Sequence, residues 1–203
     1  SSSFDKDRII YVHKGASADL SAFDCKKRDL RCRWVYLASL VGKSFKTEKE
    51  LARIAHHNKI KILFNPSLYL AKKGKRVLHP ILHTTELLVL NREEAQALLK
   101  TTAKSFSTLI RELHKLGPRM IIITNGNKKF AASDGERKYE ITPPNVPRVH
   151  TAGAGDAFTA GVLAGILKKW KFEDCLRLGQ LNASSLIQRI GTKSGLLNEK
   201  EVK

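Results

Sequence analysis

The sequence predicts an α/β fold, with one mostly parallel sheet covered by helices on both faces. Short, nearly continuous apolar runs alternate along the chain with segments of helical periodicity. Strands apolar on both sides belong to sheets buried on both faces. Polar or glycine-rich stops then follow these runs, at Asn65, at Asn91, at Thr124 and at the turn from Gly153 to Asp156. Open α/β sheets bind their ligands at the carboxyl ends of the strands, where these stops fall. A chain of 203 residues with no internal repeat or low-complexity stretch fits a single domain, 1–203, with a sizeable core.

Arg8-Ile9-Ile10-Tyr11-Val12-His13 reads as a strand ended by Lys14-Gly15-Ala16, and Trp34 to Ala38 as a second, buried one. Residues 46–58 carry Leu51, Ile54 and Ala55 at helical spacing, with Thr47 placed as a cap. Ile60 to Phe64 is the next strand, stopped by Asn65-Pro66. Residues 69–82 are helical, with Gly74 and Pro80 blurring their limits. Leu87 to Leu90 is a short apolar strand, and Asn91 is a good N-cap for the helix after it. Phe106, Leu109, Ile110, Leu113 and Leu116 mark an amphipathic helix ended by Gly117-Pro118. Met120 to Ile123 is a central strand. Phe130-Ala131-Ala132 and Lys138 to Ile141 form a hairpin around Asp134-Gly135. An extended Pro143-Pro144 and Pro147 segment leads into a glycine turn and its helix, and a last helix spans about 172–190.

The glycine turn, His150-Thr151-Ala152-Gly153-Ala154-Gly155-Asp156-Ala157-Phe158, carries the chemistry. A helix beginning there offers unpaired N–H groups and a positive dipole end to an anion, and glycine lets a phosphate approach the backbone. Asp156 falls in the first turn. A carboxylate beside a phosphate suits a base that takes a proton from an attacking hydroxyl. The plainer alternative is a favourable first-turn acid on a tight strand–helix turn. Two named phosphate motifs are excluded. GxGxxG needs a small residue where Phe158 stands, and the first glycine of GxxxxGK[ST] would fall on Leu37.

Thr151-Ala152-Gly153-Ala154-Gly155-Asp156-Ala157-Phe158 resembles the signature D-T-x-G-A-G-D-x-F of the ribokinase (PfkB) family of carbohydrate and nucleoside kinases. The resemblance extends from Arg8 to about Gly195. It implies a ribokinase-like three-layer α/β/α fold, of which this chain is the C-terminal two-thirds. The N-terminal strands and most of the lid are absent, and residues 1–20 are a remnant of the lid and substrate region. It implies ATP and Mg2+. Asp156 would be the catalytic base, with Gly153, Ala154 and Gly155 as the anion hole. Asn91-Arg92-Glu93-Glu94 is similar to the family's N-x-x-E, so Asn91 and Glu94 would order the metal; a cap with solvated acids is the alternative. Thr124, Gly126 and Thr151 would touch the nucleotide. Leu181-Asn182-Ala183-Ser184-Ser185 is similar to the wall of the adenine pocket, with Asn182 hydrogen-bonding the base; close helix packing is the alternative. Asn65-Pro66-Ser67 resembles the family's N-P segment, which would shape the site. At His150 the family usually has aspartate. Histidine is a poor ligand for potassium, so activation by a monovalent cation is in doubt.

The formal net charge of +18 invites a nucleic-acid reading. The basic residues are scattered, however, in groups such as Lys26-Lys27-Arg28 and Lys72-Lys73-Gly74-Lys75-Arg76, and no aromatic stacking strip accompanies them. A solvated basic surface is the simpler reading. No apolar run approaches the ~20 residues needed to cross a membrane. The N-terminus lacks signal-peptide character. Cys25, Cys32 and Cys175 have no metal-like spacing and read as reduced thiols, which suggests a cytoplasmic protein. His56, His57, His79 and His83 read as surface residues, with Pro80 interrupting the helix between the last two. The expected partner is a small sugar, phosphosugar or nucleoside, with a homodimer possible through the family's lid. A nucleotide-binding protein without catalysis, or an incomplete fragment of such a kinase, is the alternative function.

Overall fold

The structure is a computed structural model and describes residues 2–4, 7–9, 13, 15–21, 24–25 and 30–202. Strands β1 (Ser2–Phe4) and β2 (Asp7–Ile9) form an antiparallel pair of their own. Of the strand expected over residues 8–13, Arg8 and Ile9 lie in β2 and His13 is not in a strand. Ile10, Tyr11 and Val12 lie outside the described residues, as do Lys14 and the Lys26-Lys27-Arg28 group.

The main sheet has six strands in sequence order: β3 (Trp34–Leu37), β4 (Lys61–Phe64), β5 (Leu87–Asn91), β6 (Met120–Thr124), β7 (Phe130–Ser133) and β8 (Lys138–Ile141). The first four are parallel, and the hairpin strands β7 and β8 continue the sheet antiparallel. Helices α1 (Gly42–His57), α2 (Leu68–Ala71), α3 (Lys75–Leu82), α4 (Arg92–Leu99) and α5 (Phe106–His114) connect the parallel strands. Helices α6 (Ala154–Leu167) and α7 (Phe172–Ile187) follow the hairpin.

Alternation along the strands separates two cores. Ile62, Phe64, Leu88, Leu90, Ile121 and Ile123 face α1 and α3 to α5, against Leu51, Leu78, Ile81, Leu98, Leu109 and Leu113. Leu63, Leu87, Val89, Ile122 and Phe130 face α6 and α7, against Phe158, Val162, Cys175 and Leu176. This is the three-layer arrangement that runs of residues apolar on both sides demand. On the second face the two helices pack through glycine. A Cβ built on Gly179 would lie 2.6 Å from the Phe158 carbonyl oxygen, and one on Gly161 would lie 2.8 Å from the Gly179 Cα. Glycine is needed there because the backbones themselves are in contact.

Several expectations need correction. β3 is an edge strand of the described sheet rather than a buried one, and Tyr36 is 38% exposed. α1 begins at Gly42, ahead of Thr47. Gly42 takes φ +60°, and Thr47 is buried inside the helix, where its hydroxyl donates to the Leu20 carbonyl at 2.7 Å. The helix over 69–82 is two helices, parted at Gly74 with φ +82°. α3 runs through Pro80. The ring removes only the bond to the carbonyl of Arg76, an exposed residue, and the His83 N–H to His79 carbonyl bond of 3.1 Å holds the following turn. His79 and His83 therefore stack, with ring centroids 4.9 Å apart, yet no group of three metal-type ligands forms among the described residues. α7 ends at Ile187, short of 190.

Candidate active site at the start of helix α6

The long segment after β8 reaches α6 through a left-handed residue, Gly153, at φ +84°. A side chain there would be strained, so this glycine belongs to the fold. The turn closes through the Ala154 N–H to the Thr151 carbonyl at 3.3 Å, and through the Ala157 N–H to the Gly153 carbonyl at 2.8 Å. Gly155 is different. It has no positive φ, and a Cβ built on it meets no atom within 4 Å. Neither backbone conformation nor packing asks for glycine at this position. The first turn of a helix favours alanine over glycine, so an empty position over free N–H groups is a place for close approach by an anion. Asp156 follows, exposed in the same turn.

A cavity of about 650 Å³ opens beside this turn. Thr151, Ala154 and Gly155 form one end. Thr124, Asn125 and Gly126, after β6, form a second wall; Gly126 has φ +61°, and a Cβ there would meet nothing within 4 Å. The Thr142-Pro143-Pro144-Asn145-Val146 strap and Gln180, Ala183, Ser184 and Ile187 of α7 complete it. Arg148 also lines it and offers a planar cation suited to phosphate. The volume suits a small organic ligand.

Most of the candidate site residues converge here. Thr124, Gly126, Thr151, Ala154 and Gly155 line the cavity, with Gly153 behind them shaping the turn. Asp156 is not among the lining residues. Asn182 is also placed elsewhere, which corrects the expectation that it meets the base. It is buried; its amide nitrogen donates to the Ala157 carbonyl at 2.8 Å and its oxygen accepts from the Leu197 N–H at 2.9 Å. It ties α7 to α6 and to the C-terminal segment. Its neighbours Ala183 and Ser184, one and two residues further round the helix, face the cavity instead.

Asn91 and Glu94 form a reciprocal capping box at α4. The Asn91 oxygen accepts from the Glu94 N–H at 2.9 Å, and a Glu94 carboxylate oxygen accepts from the Asn91 N–H at 2.8 Å. Asn91 is the register partner of Thr124, so the box sits at the strand end next to the cavity wall. Burial pushes the Glu94 carboxyl up, opposed by the Asn91 and Leu68 N–H groups. A nearby cation would favour its charged form. The pair fits a hydrated magnesium held through water and phosphate better than an all-protein cage. His150 holds its Nδ1 buried without a hydrogen-bond partner, and its N–H donates to the Ile187 carbonyl at 3.1 Å.

The family model described as pfkB family carbohydrate kinase matches residues 3–199. The chain belongs to the pfkB family. Its pfkB relatives include a protein of Archaeoglobus fulgidus described as an uncharacterized sugar kinase. That protein is 28% identical over 200 residues, covering 94% of this chain and 75% of the relative. A cytidine kinase of Thermococcus kodakarensis is 32% identical over 137 residues, 66% of this chain and 48% of that one. The structure of an Arabidopsis thaliana ribokinase complexed with ribose and ATP superposes with a TM-score of 0.76 at 22% identity, covering 87% of this chain and 58% of that chain. The fold is therefore ribokinase-like, and the chain spans only part of the length of these proteins. Within the pfkB frame, Arg148, Gln180 and Ile187 are among the lining residues that sequence reasoning missed. Arg148 sits in a proline-rich approach with no motif. The two α7 residues are separated from ordinary surface positions only by the phase of the helix.

Proposed function

We propose that this chain forms the nucleotide-binding and phosphoryl-transfer part of an ATP-dependent kinase that acts on a hydroxyl of a sugar, phosphosugar or nucleoside. The observation that carries the reading is the open space over Gly155, at the head of a helix and at the end of a cavity suited to a nucleotide. The ATP phosphates lie against the free N–H groups of the α6 first turn and near Arg148. The base and ribose occupy the cavity between Gly126 and Ala183-Ser184.

Asp156 accepts the proton of the acceptor hydroxyl. The freed oxygen forms its bond to the γ-phosphorus as the bond from that phosphorus to the β–γ bridging oxygen breaks, and ADP leaves. The Gly153, Ala154 and Gly155 turn stabilises the charge that develops on the transferred group, with Gly155 giving the closest approach and Gly153 fixing the geometry. Magnesium, when bound, neutralises phosphate charge; Glu94 and Asn91 would hold its water shell. The reading needs no monovalent cation, and His150 offers none an oxygen ligand. The kinship with proteins named as sugar and cytidine kinases supports this class of acceptor.

The test is ADP release by the complete protein with magnesium and ATP, across a panel of sugars, phosphosugars and nucleosides. Asp156→Asn should abolish acceptor-stimulated release and keep ATP binding within about threefold, since a neutral amide cannot act as the base. Equal turnover by the mutant would remove Asp156 from the chemistry. Binding of ATP with no acceptor stimulation in the wild type would leave a nucleotide-binding protein.

A further inference from the structure

No residue from 51 to 85 is acidic, and none from 95 to 111. The fold brings these two stretches together. Helices α2 and α3 meet at the elbow Lys72-Lys73-Gly74-Lys75-Arg76, and α4 ends against it at Lys100. A Cβ built on Gly74 would lie 3.2 Å from the Lys100 Cε and 3.9 Å from its Nζ. A fifth cation therefore lies over the elbow. Lys100 is left-handed, with φ +53°, at a helix end that usually takes glycine. All five cationic side chains are exposed, and none makes a hydrogen bond or an ion pair among the described residues. The acids that flank these stretches are engaged elsewhere: Glu50 with Arg53, Glu86 with Lys61 and Arg119, and Glu94 with the Asn91 N–H. Glu93 pairs with none of the five. Beside the cations stands Tyr69, 54% exposed, with the Lys73 Nζ 4.6 Å from its ring centroid. Like charges gathered without a counter-charge repel one another, and an anionic partner relieves that repulsion.

We propose that this elbow is a binding surface for single-stranded nucleic acid, with backbone phosphates against Lys72, Lys75, Arg76 and Lys100 and one base stacked on Tyr69. Cations that track a phosphate backbone beside an exposed aromatic ring are what single strands need, because their bases are free to stack on protein. A duplex keeps its bases stacked on one another and leaves Tyr69 without a role. A bilayer takes up a broader apolar face than the exposed Tyr69 and Val77 supply. The elbow shares no residue with the lining of the α6 cavity, so the proposal stands apart from the kinase reading.

The test is fluorescence anisotropy of a short labelled oligouridine with the complete protein, across a salt series. Four phosphate contacts predict that log K falls against log salt with a slope of about −3, roughly −0.7 for each phosphate. Lys72→Gln, Lys75→Gln and Lys100→Gln together should flatten that slope by about 2. Tyr69→Ala should weaken binding roughly 5- to 150-fold and leave the slope unchanged, as the loss of one stacked base does. The control is Lys59→Gln, Lys169→Gln and Lys171→Gln, three exposed lysines away from the elbow, which removes the same charge and should keep most of the wild-type slope. Equal flattening in the control would overturn the proposal, since it marks a general attraction to a basic protein. Full affinity in Tyr69→Ala would overturn the single-strand assignment. Binding to phosphatidylserine vesicles without binding to the oligonucleotide would put a membrane in its place. Saturating ATP should leave the oligonucleotide bound; its release would locate it in the α6 cavity and overturn the elbow site.

Discussion

Gly155→Ala separates what the fold needs from what the chemistry needs. The new methyl group meets no protein atom within 4 Å, and the backbone at this position requires no positive φ. Alanine is favoured over glycine by up to ~1 kcal/mol inside a helix, and by about half of that in the first turn. In a domain of this size ~0.5 kcal/mol raises Tm by about 1–2 °C. On the proposed reading, the same methyl occupies the space through which the phosphoryl oxygens reach the N–H groups. Losing a donor aimed at developing charge costs ~10²–10³ in kcat. The expected variant is therefore slightly more heat-stable and nearly inactive. Thermal unfolding and ADP release on one preparation check both halves. Gly153→Ala is the contrasting control. Its φ of +84° puts a side chain in the left-handed region, and it should lose ~1–2 kcal/mol of stability. A Gly155→Ala protein with kcat within threefold of wild type would refute the assignment of that space to the phosphate. A Tm fall of several degrees would show that the space is not free.

Two further predictions concern the body of the protein. Gly179→Ala drives a Cβ to 2.6 Å from both the Phe158 carbonyl oxygen and the Val162 Cγ2, and the carbonyl cannot rotate away. Overpacking of this kind costs ~1–3 kcal/mol, so Tm should fall by about 3–10 °C; a shift below 1 °C would mean that α6 and α7 part easily. Glu48 is fully buried with neither carboxylate oxygen in a hydrogen bond, and burial pushes its carboxyl up to about 8. Between the unfolded value and about 8 the folded state holds a proton that the unfolded chain has released. This group's share of stability is therefore full below the unfolded value and is lost as pH rises, by about 1.4 kcal/mol per unit, until Glu48 ionises in the fold. Glu48→Gln should remove that slope, gaining stability relative to wild type at pH 8 and little at pH 4.5. Denaturant titrations at the two pH values check it, and parallel pH dependence in both proteins would clear Glu48 of the effect.

The fold was legible in the sequence where local pattern decides it. Runs such as Met120-Ile121-Ile122-Ile123 are apolar on both sides, and only a sheet covered on both faces can bury them. The edge position of β3 in the described sheet was not legible. Trp34-Val35-Tyr36-Leu37 reads like any buried strand, and which neighbours it has is a property of the assembled sheet. The same division runs through the site. The turn from Thr151 to Asp156 was legible as a candidate anion site, because glycine, alanine and a lone acid stand ahead of an apolar helix. The α7 wall was legible only to within a residue. Small side chains at 183–185 mark close approach without saying to what, and one residue is about 100° of helix. That rotation carries Asn182 from the cavity to Ala157 and Leu197, and brings Ala183 to the cavity in its place.

Gly155 and Gly179 show why composition alone could not finish the reading. Both are helical glycines without positive φ, yet one is filled by a neighbouring helix and the other by nothing. A glycine packed against backbone is explained by the fold. A glycine facing empty space in a helix, where alanine would be more stable, is not explained by the fold and leaves room for something to bind there. The proposed place of phosphate at the α6 first turn draws on that difference, an observation separate from the motif that first drew attention to the turn.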